Sequence, residues 1–195
     1  MNEIDDLQRL LLTDTPLIDT RAPIEFARGS LPTAVNMPLM TDYEREQVGT
    51  CYKRHGQKAA IDLGHQLVQG DVKAERIAAW ADFANTHPTG ALYCFRGGLR
   101  SSIAQQWLHE SGIEYPRVKG GYKSLRRWLI EYTDQTFASA TLLLVGGRTG
   151  AAKTRVLNEG NAGQPILGSV DLEGLAHHRG SAFGRRTTEQ PTQIS

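Results

Sequence analysis

The sequence predicts an α/β fold: a first domain built round a central, largely parallel sheet, followed by the start of a second α/β domain opened by a P-loop. Three observations predict it. Short apolar runs alternate with helical stretches up to about residue 132, the pattern of strands covered by helices. "TDQTFASA" over 133–140 is polar and small, as a linker would be. "TLLLVGG" then restarts the chain as an apolar run leading into "GRTGAAKT". The expected division is therefore 1–132, a linker at 133–140 and a partial second domain over 141–195. The 195 residues, 39% hydrophobic and 22% charged, suffice for one domain of ordinary size and part of another.

In chain order, "DDLQRLLL" has the apolar spacing of a short helix, and "TPLIDTR" reads as a buried strand ending at Asp19 and Arg21. "FARGSLPTAVNMP", rich in Gly and Pro, reads as a loop. Residues 42–87 are mostly helical in pattern, with Gly70 as a stop. "GALYCF" is the next strand and "RSSIAQQWLHESG" a helix closing at Gly112. "YPRVKGG" is extended and turning, and "YKSLRRWLIEYT" is a basic amphipathic helix. No apolar run reaches the length of a membrane span, and the acidic N-terminus lacks a signal-peptide pattern, so a cytoplasmic protein without membrane contact is expected. A formal net charge of +1 does not announce a nucleic-acid binder. Two cysteines, Cys51 and Cys94, without CxxC spacing argue against a zinc site and a disulfide framework. Cys51 reads as structural or incidental. His177 and His178 lack partners at metal spacing, and no metal site is expected.

"CFRGGLRSS" places Cys94 where a strand turns into a helix. Thiolate is the reactive form of cysteine, and positive charge and N–H dipoles favour it. Gly97 and Gly98 permit a backbone that turns successive N–H groups inward, Leu99 opens the helix, and Arg96 and Arg100 add charge. Such a cradle suits an oxyanion such as phosphate, selenophosphate or thiosulfate while the sulfur attacks. A strand-end cysteine taken alone is more often structural; the glycines and arginines reverse that preference.

The second motif follows the pattern of a phosphate-binding loop, G-x-x-x-x-G-K-[ST], in which amides wrap the phosphates, Lys reaches the terminal ones and the hydroxyl meets Mg²⁺. Gly147, Gly150, Lys153 and Thr154 fit it, while Ala152 stands where the motif has its second glycine. A positive φ at that position would impair the cradle; a negative one would tolerate Ala. Asp171, in "ILGSVDLEG", would supply a second acidic element from a short strand.

"LIDTRAPIEFARGSLPTAVNMP", "CFRGGLRSS" and "YPRVKGGYKSLRRW" resemble the signatures of the rhodanese family, in which a residue at Glu25 anchors the loop after the first strand. Five residues separate Cys94 from Arg100, where single-domain rhodaneses have four. The longer loop is shared by phosphatases of the cell-cycle type and keeps a phosphatase or arsenate reductase as a rival. Taken in order with "VGTCYKRHGQKAAIDLGHQLVQGDVKAERIAAWADF" and "DLEGLAHHRGSAFG", the chain resembles the tRNA 2-selenouridine synthase family, a rhodanese domain followed by a P-loop domain, whose members carry the longer loop and continue well beyond the position of Ser195. The resemblance implies replacement of sulfur by selenium in wobble 2-thiouridine of tRNA, with selenophosphate as donor, geranyl diphosphate as a second substrate and no tightly bound cofactor. It implies Cys94 as the selenium-handling thiol, Arg96, Gly97, Gly98, Leu99 and Arg100 around the phosphate-like portion, and Gly147, Gly150, Lys153 and Thr154 around a diphosphate. A rhodanese-type sulfurtransferase and an inactive truncated tRNA-binding remnant stay as alternatives. For RNA, the basic segments carry Tyr93, Phe95, Tyr122 and Trp128 as candidate base-stacking residues, and Lys53, Arg54 and Lys58 cluster beside His55 and His65. Residue by residue, a solvated charge or a core Trp such as Trp107 is the commoner outcome.

Overall fold

The computed structural model describes residues 2–148, 150–160 and 166–175; His177 and His178 lie outside them. In chain order the elements are β1 (Glu3–Ile4), α1 (Leu7–Leu12), β2 (Leu17–Asp19), α2 (Pro23–Ala27), β3 (Ala34–Asn36), α3 (Asp42–Leu67), α4 (Gly70–Thr86), β4 (Ala91–Tyr93), α5 (Leu99–Glu110), β5 (Arg117–Val118), α6 (Gly121–Ser139), α7 (Lys153–Glu159) and α8 (Leu172–Leu175). The chain divides into a compact unit ending at Thr133 and a second beginning at Asp134.

The first unit is built on a five-stranded sheet, order β1-β5-β4-β2-β3, in which every pairing is parallel. Parallel strands need crossovers, and helices supply them here, so the central strands are covered on both faces. Hence "LID" and "ALY" are buried at every residue. Alternation then sorts the side chains. Ile18 and Leu92 join Trp80, Phe83, Trp107 and Leu108 in one core, while Leu17, Ala91 and Tyr93 join Leu10, Tyr122 and Leu125 in the other.

The helix caps follow the sequence. Thr41 and Glu44 form a reciprocal capping box that starts α3. Gly56 breaks α3 with φ 83° and ψ −177°, so the element is two helices meeting at a kink. Arg76 of α4 holds the first of these in place, donating to both Glu44 carboxylate oxygens at 3.0 and 2.9 Å and to the Leu39 carbonyl.

Four expectations change. The stretch after Arg21 is not all loop, because α2 and the edge strand β3 form within it; Ala34–Asn36 align with Leu17–Asp19, and that pairing outweighs the flanking Gly and Pro. At the other edge, β1 is two residues long and leaves no periodic signal. Residues 133–139, expected as linker, continue α6, since nothing in "TDQTFAS" breaks a helix. "TLLLVGG" forms no strand among the described residues: Leu143 and Leu144 are 91% and 93% exposed, and no neighbouring strand pairs with them. Asp171 likewise lies on no strand. It precedes α8 and accepts from the Gly174 N–H at 2.9 Å, the capping role that suits Asp. No helix among the described residues is long and apolar enough to cross a membrane.

Candidate active site

β4 delivers Cys94 to the end of the sheet, and α5 begins five residues later at Leu99. Between them the backbone turns through Gly97 at φ 62°. None of the N–H groups from Phe95 to Ser101 donates a hydrogen bond among the described residues; the first to do so is Ser102, to the Gly98 carbonyl at 3.1 Å. Seven successive amide donors thus surround the loop after the thiol, with the first turn of a twelve-residue helix among them. Such a run of unbonded donors is chemically suited to an anion.

Cys94 is buried, its sulfur 3.2 Å from the Ser101 hydroxyl and 3.8 Å from the Gly98 carbonyl. Ser101 lies 3.0 Å from that same carbonyl. The pair can hold its protons in two ways. As a thiol, Cys94 donates to Ser101, whose hydroxyl donates to Gly98; as a thiolate, the sulfur accepts from Ser101. Ser101 stands one turn inside α5, and its place in the quoted motif was the available signal for it.

Around the loop, three contacts fix its shape. Tyr122 and Lys123 donate their N–H groups to the carbonyls of Cys94 and Phe95 at 2.9 and 3.0 Å. Arg117 donates to the Gly97 carbonyl at 3.3 Å and pairs with Glu3 at 2.7 Å. A Cβ on Gly121 would lie 2.2 Å from the Cys94 carbonyl oxygen and 2.4 Å from the Gly97 nitrogen, so the "GG" of "VKGGYK" lets two backbones touch. Beneath Tyr122 sits the Arg21 guanidinium, 3.9 Å from the ring centre and paired with Asp19 at 2.6 Å in full burial.

Of the loop cations, Arg96 is exposed and has no ion pair among the described residues. Arg100 is held instead by Glu25, with both guanidinium nitrogens on the carboxylate at 2.5 and 3.1 Å. Arg45 of α3 reaches the same carboxylate at 3.2 Å. Burial pushes the Glu25 carboxyl up, but the hydrogen bonds and charge of Arg100, the Ala22 N–H and the charge of Arg45 outweigh it and hold Glu25 below the ordinary carboxylate value. Glu25 therefore ties α2 to α3 and to the first turn of α5. Arg45 was not foreseen, because nothing in its spacing marks it.

Among the aromatic residues considered for RNA, Tyr93 is fully buried and Tyr122 is covered, so neither can stack on a base. Phe95 is exposed, and Trp128 is half-buried against Tyr132 at 4.7 Å. Trp107 is core. Lys53, Arg54, Lys58, His55 and His65 are all exposed on α3.

The second unit has its own candidate. Lys153 opens α7 and directs its ammonium to the carbonyls of Gly147 and Arg148 at 3.2 and 3.3 Å, folding back over the loop. Gly150 takes φ 85°, and Ala152 takes φ 56° and ψ 28°, the left-handed region. Thr154 follows in the first turn of α7. Asn158, one turn on, donates to Asp171 Oδ2 at 3.4 Å, so a carboxylate lies against the same helix. Hydroxyl and carboxylate oxygens are donors that fit Mg²⁺.

Residues 140–195 match the family model described as the tRNA 2-selenouridine synthase AAA domain. Curated relatives agree over nearly the whole chain. The tRNA 2-selenouridine synthase of Hahella chejuensis is 59% identical over 192 residues, which is 98% of this chain and 49% of the relative; that of Photobacterium profundum is 60% identical over 187 residues, 96% and 50%. The chain is a homologue of the tRNA 2-selenouridine synthases. It spans about half the length of the curated relatives it matches. Among solved structures, the N-terminal domain of a Clostridium difficile 630 protein described as ATP/GTP-binding aligns with a TM-score of 0.54 and 27% identity, over 66% of this chain and 97% of that one. It shares the α/β architecture.

Proposed function

We propose that the chain forms the thiol-bearing part of a cytoplasmic tRNA 2-selenouridine synthase, a transferase that replaces sulfur by selenium in the wobble 2-thiouridine of tRNA. The observation that carries this reading is the run of free amides from Phe95 to Ser101 beside a buried cysteine, in a chain 57–60% identical to enzymes of that name. Selenophosphate is the donor, its phosphate end held by the amides of Gly97, Gly98 and Leu99 and by Arg96, with Arg100 shaping the loop from Glu25. Cys94 acts as nucleophile: its thiolate, which accepts from Ser101, attacks phosphorus, the P–Se bond breaks to release hydrogen selenide, and water hydrolyses the resulting S-phosphocysteine to phosphate and free thiol. Geranyl diphosphate alkylates the thiocarbonyl sulfur, its C–O bond breaking to release inorganic diphosphate. Selenium then adds at C2 and the sulfur departs with the geranyl group, since an alkylated sulfur leaves more readily than a thiocarbonyl one. The loop of Gly147, Gly150, Lys153 and Thr154 holds the diphosphate. Thr154 and Asp171 would hold Mg²⁺, which supplies charge neutralisation when bound.

Nucleoside mass spectrometry tests this directly. tRNA from cells lacking their own synthase and expressing this chain should contain 2-selenouridine, and Cys94→Ser should abolish it. Full selenation by Cys94→Ser would overturn the role of the thiol, and persistence of 2-thiouridine with the unmodified chain would overturn the assignment of the reaction to this part of the protein.

A further inference from the structure

Three segments of the chain, 47–61, 93–109 and 115–130, hold three, two and five of its 22 Lys and Arg residues and none of its 21 Asp and Glu. The fold gathers them round the thiol loop. The middle segment is that loop with α5. On one flank, Tyr52 and Lys53 of α3 line a cleft together with Arg96, Leu99 and Arg100. On another, the N–H groups of Tyr122 and Lys123 bond the carbonyls of Cys94 and Phe95, and no residue of α6 lines the cleft. The elbow of α3 stands clear of the domain. Positions 52–58 are all exposed, although a helix lying on a core covers a residue every three or four. Gly56 falls within that run, and Tyr52, 57% exposed, presents a bare ring at its start. Lys53, Arg54 and Lys58 on the elbow, and Lys123 and Arg127 on α6, are exposed and form no ion pair among the described residues. Arg100 and Arg117, by contrast, are held by Glu25 and Glu3. Unpaired cations on two flanks of one loop make a positive surface that suits a polyanion longer than the oxyanion of the loop itself.

We infer that the elbow of α3 and the first turns of α6 bind the sugar-phosphate backbone of the RNA substrate at two points, so that the strand crosses the thiol loop between them and Tyr52 stacks on a base. The inference rests on the function proposed above, which makes the ligand an RNA without assigning the surface that receives it. A single-stranded RNA loop brings one phosphate charge per nucleotide and unstacked bases; the surface brings separated cations with an exposed ring beside them. Two points of attachment fix the direction of a strand where one would let it pivot. The amides of the thiol loop and Arg96 stay available to the selenium donor.

The test measures binding of the full chain to an anticodon stem-loop oligonucleotide containing 2-thiouridine, across a series of salt concentrations. Lys53→Gln with Arg54→Gln removes two cations of the elbow, Lys123→Gln with Arg127→Gln removes two of α6, and Arg9→Gln with Arg28→Gln removes two exposed cations elsewhere on the same domain. Circular dichroism confirms that each variant is folded. Each of the first two pairs should weaken binding roughly tenfold and lower the slope of log affinity against log salt by about 1.4, as two phosphate contacts on a single strand do. The third pair should change affinity less than about twofold. Tyr52→Leu should weaken binding roughly tenfold with the slope unchanged, because stacking releases no counterions. Unchanged affinity in either of the first two pairs or in Tyr52→Leu, or equal weakening by all three pairs, overturns the inference. So does binding of the chain to phosphatidylserine vesicles with none to the oligonucleotide. If the surface fails while the unmodified chain still makes 2-selenouridine in cells, the proposed function stands. Binding with the expected pattern but without 2-selenouridine upholds the surface and fails the function.

Discussion

At the scale of single residues, Glu25 carries more than its position suggests. Its carboxylate accepts from Ala22, Arg45 and Arg100, so it orders three elements around one charge. Its folded value lies below the ordinary 4.5, so its stabilisation is present in full above that value and is lost as pH falls through the depressed one. Glu25→Gln should cost on the order of 2 kcal/mol at pH 7, and the gap to the unmodified chain should narrow below about pH 4.5, read from urea melts across that range. Ala152 is the converse case, a residue that its backbone does not suit. Its φ of 56° is strained for any residue with a Cβ. Ala152→Gly should relieve ~1 kcal/mol and raise affinity for inorganic diphosphate roughly fivefold in calorimetry. The identity of Ala152 was plain in the sequence; the sign of its φ, on which its effect depends, was not.

Among the elements, the ones that were legible are those whose own residues determine them. "LID" and "ALY" are apolar enough to be buried on both faces, and α3 announces its start through Thr41 and Glu44. Elements that depend on a neighbour were not legible: β3 exists because Ala34–Asn36 align with β2, and β1 because two residues reach β5. "TLLLVGG" teaches the same lesson in reverse, since strand propensity without a partner yields no strand. The kink of α3 belongs with this group, its effect being to fold one helical run into two helices that meet at Gly56. At φ 83° and ψ −177° Gly56 occupies a region that only glycine enters readily, although nothing lies within 4 Å of where its Cβ would be. Gly56→Ala should therefore lower stability by about 1–3 kcal/mol through backbone strain alone, seen as a reduced denaturation midpoint with an unchanged slope.

For the whole molecule, both hydrophobic cores are built from residues between Ile4 and Leu129. A chain ending after Ser139 should unfold in one cooperative step with a Tm within about 4 °C of the full chain, measured by circular dichroism. The candidate site was legible in part for a reason of scale: Cys94, Arg96 and the glycines share nine residues of sequence, whereas Glu25, Arg45 and Arg117 reach the loop only through the fold. One of those long-range contacts bears on engineering. Because the backbone at Gly121 rests on that of Gly97 and Cys94, "CFRGG" and "VKGGY" form a single mechanical part made of two distant pieces. Libraries that randomise the thiol loop to recruit another oxyanion will return mostly misfolded clones unless residues 120 and 121 are varied in the same molecules, and useful solutions will be found as matched pairs of segments.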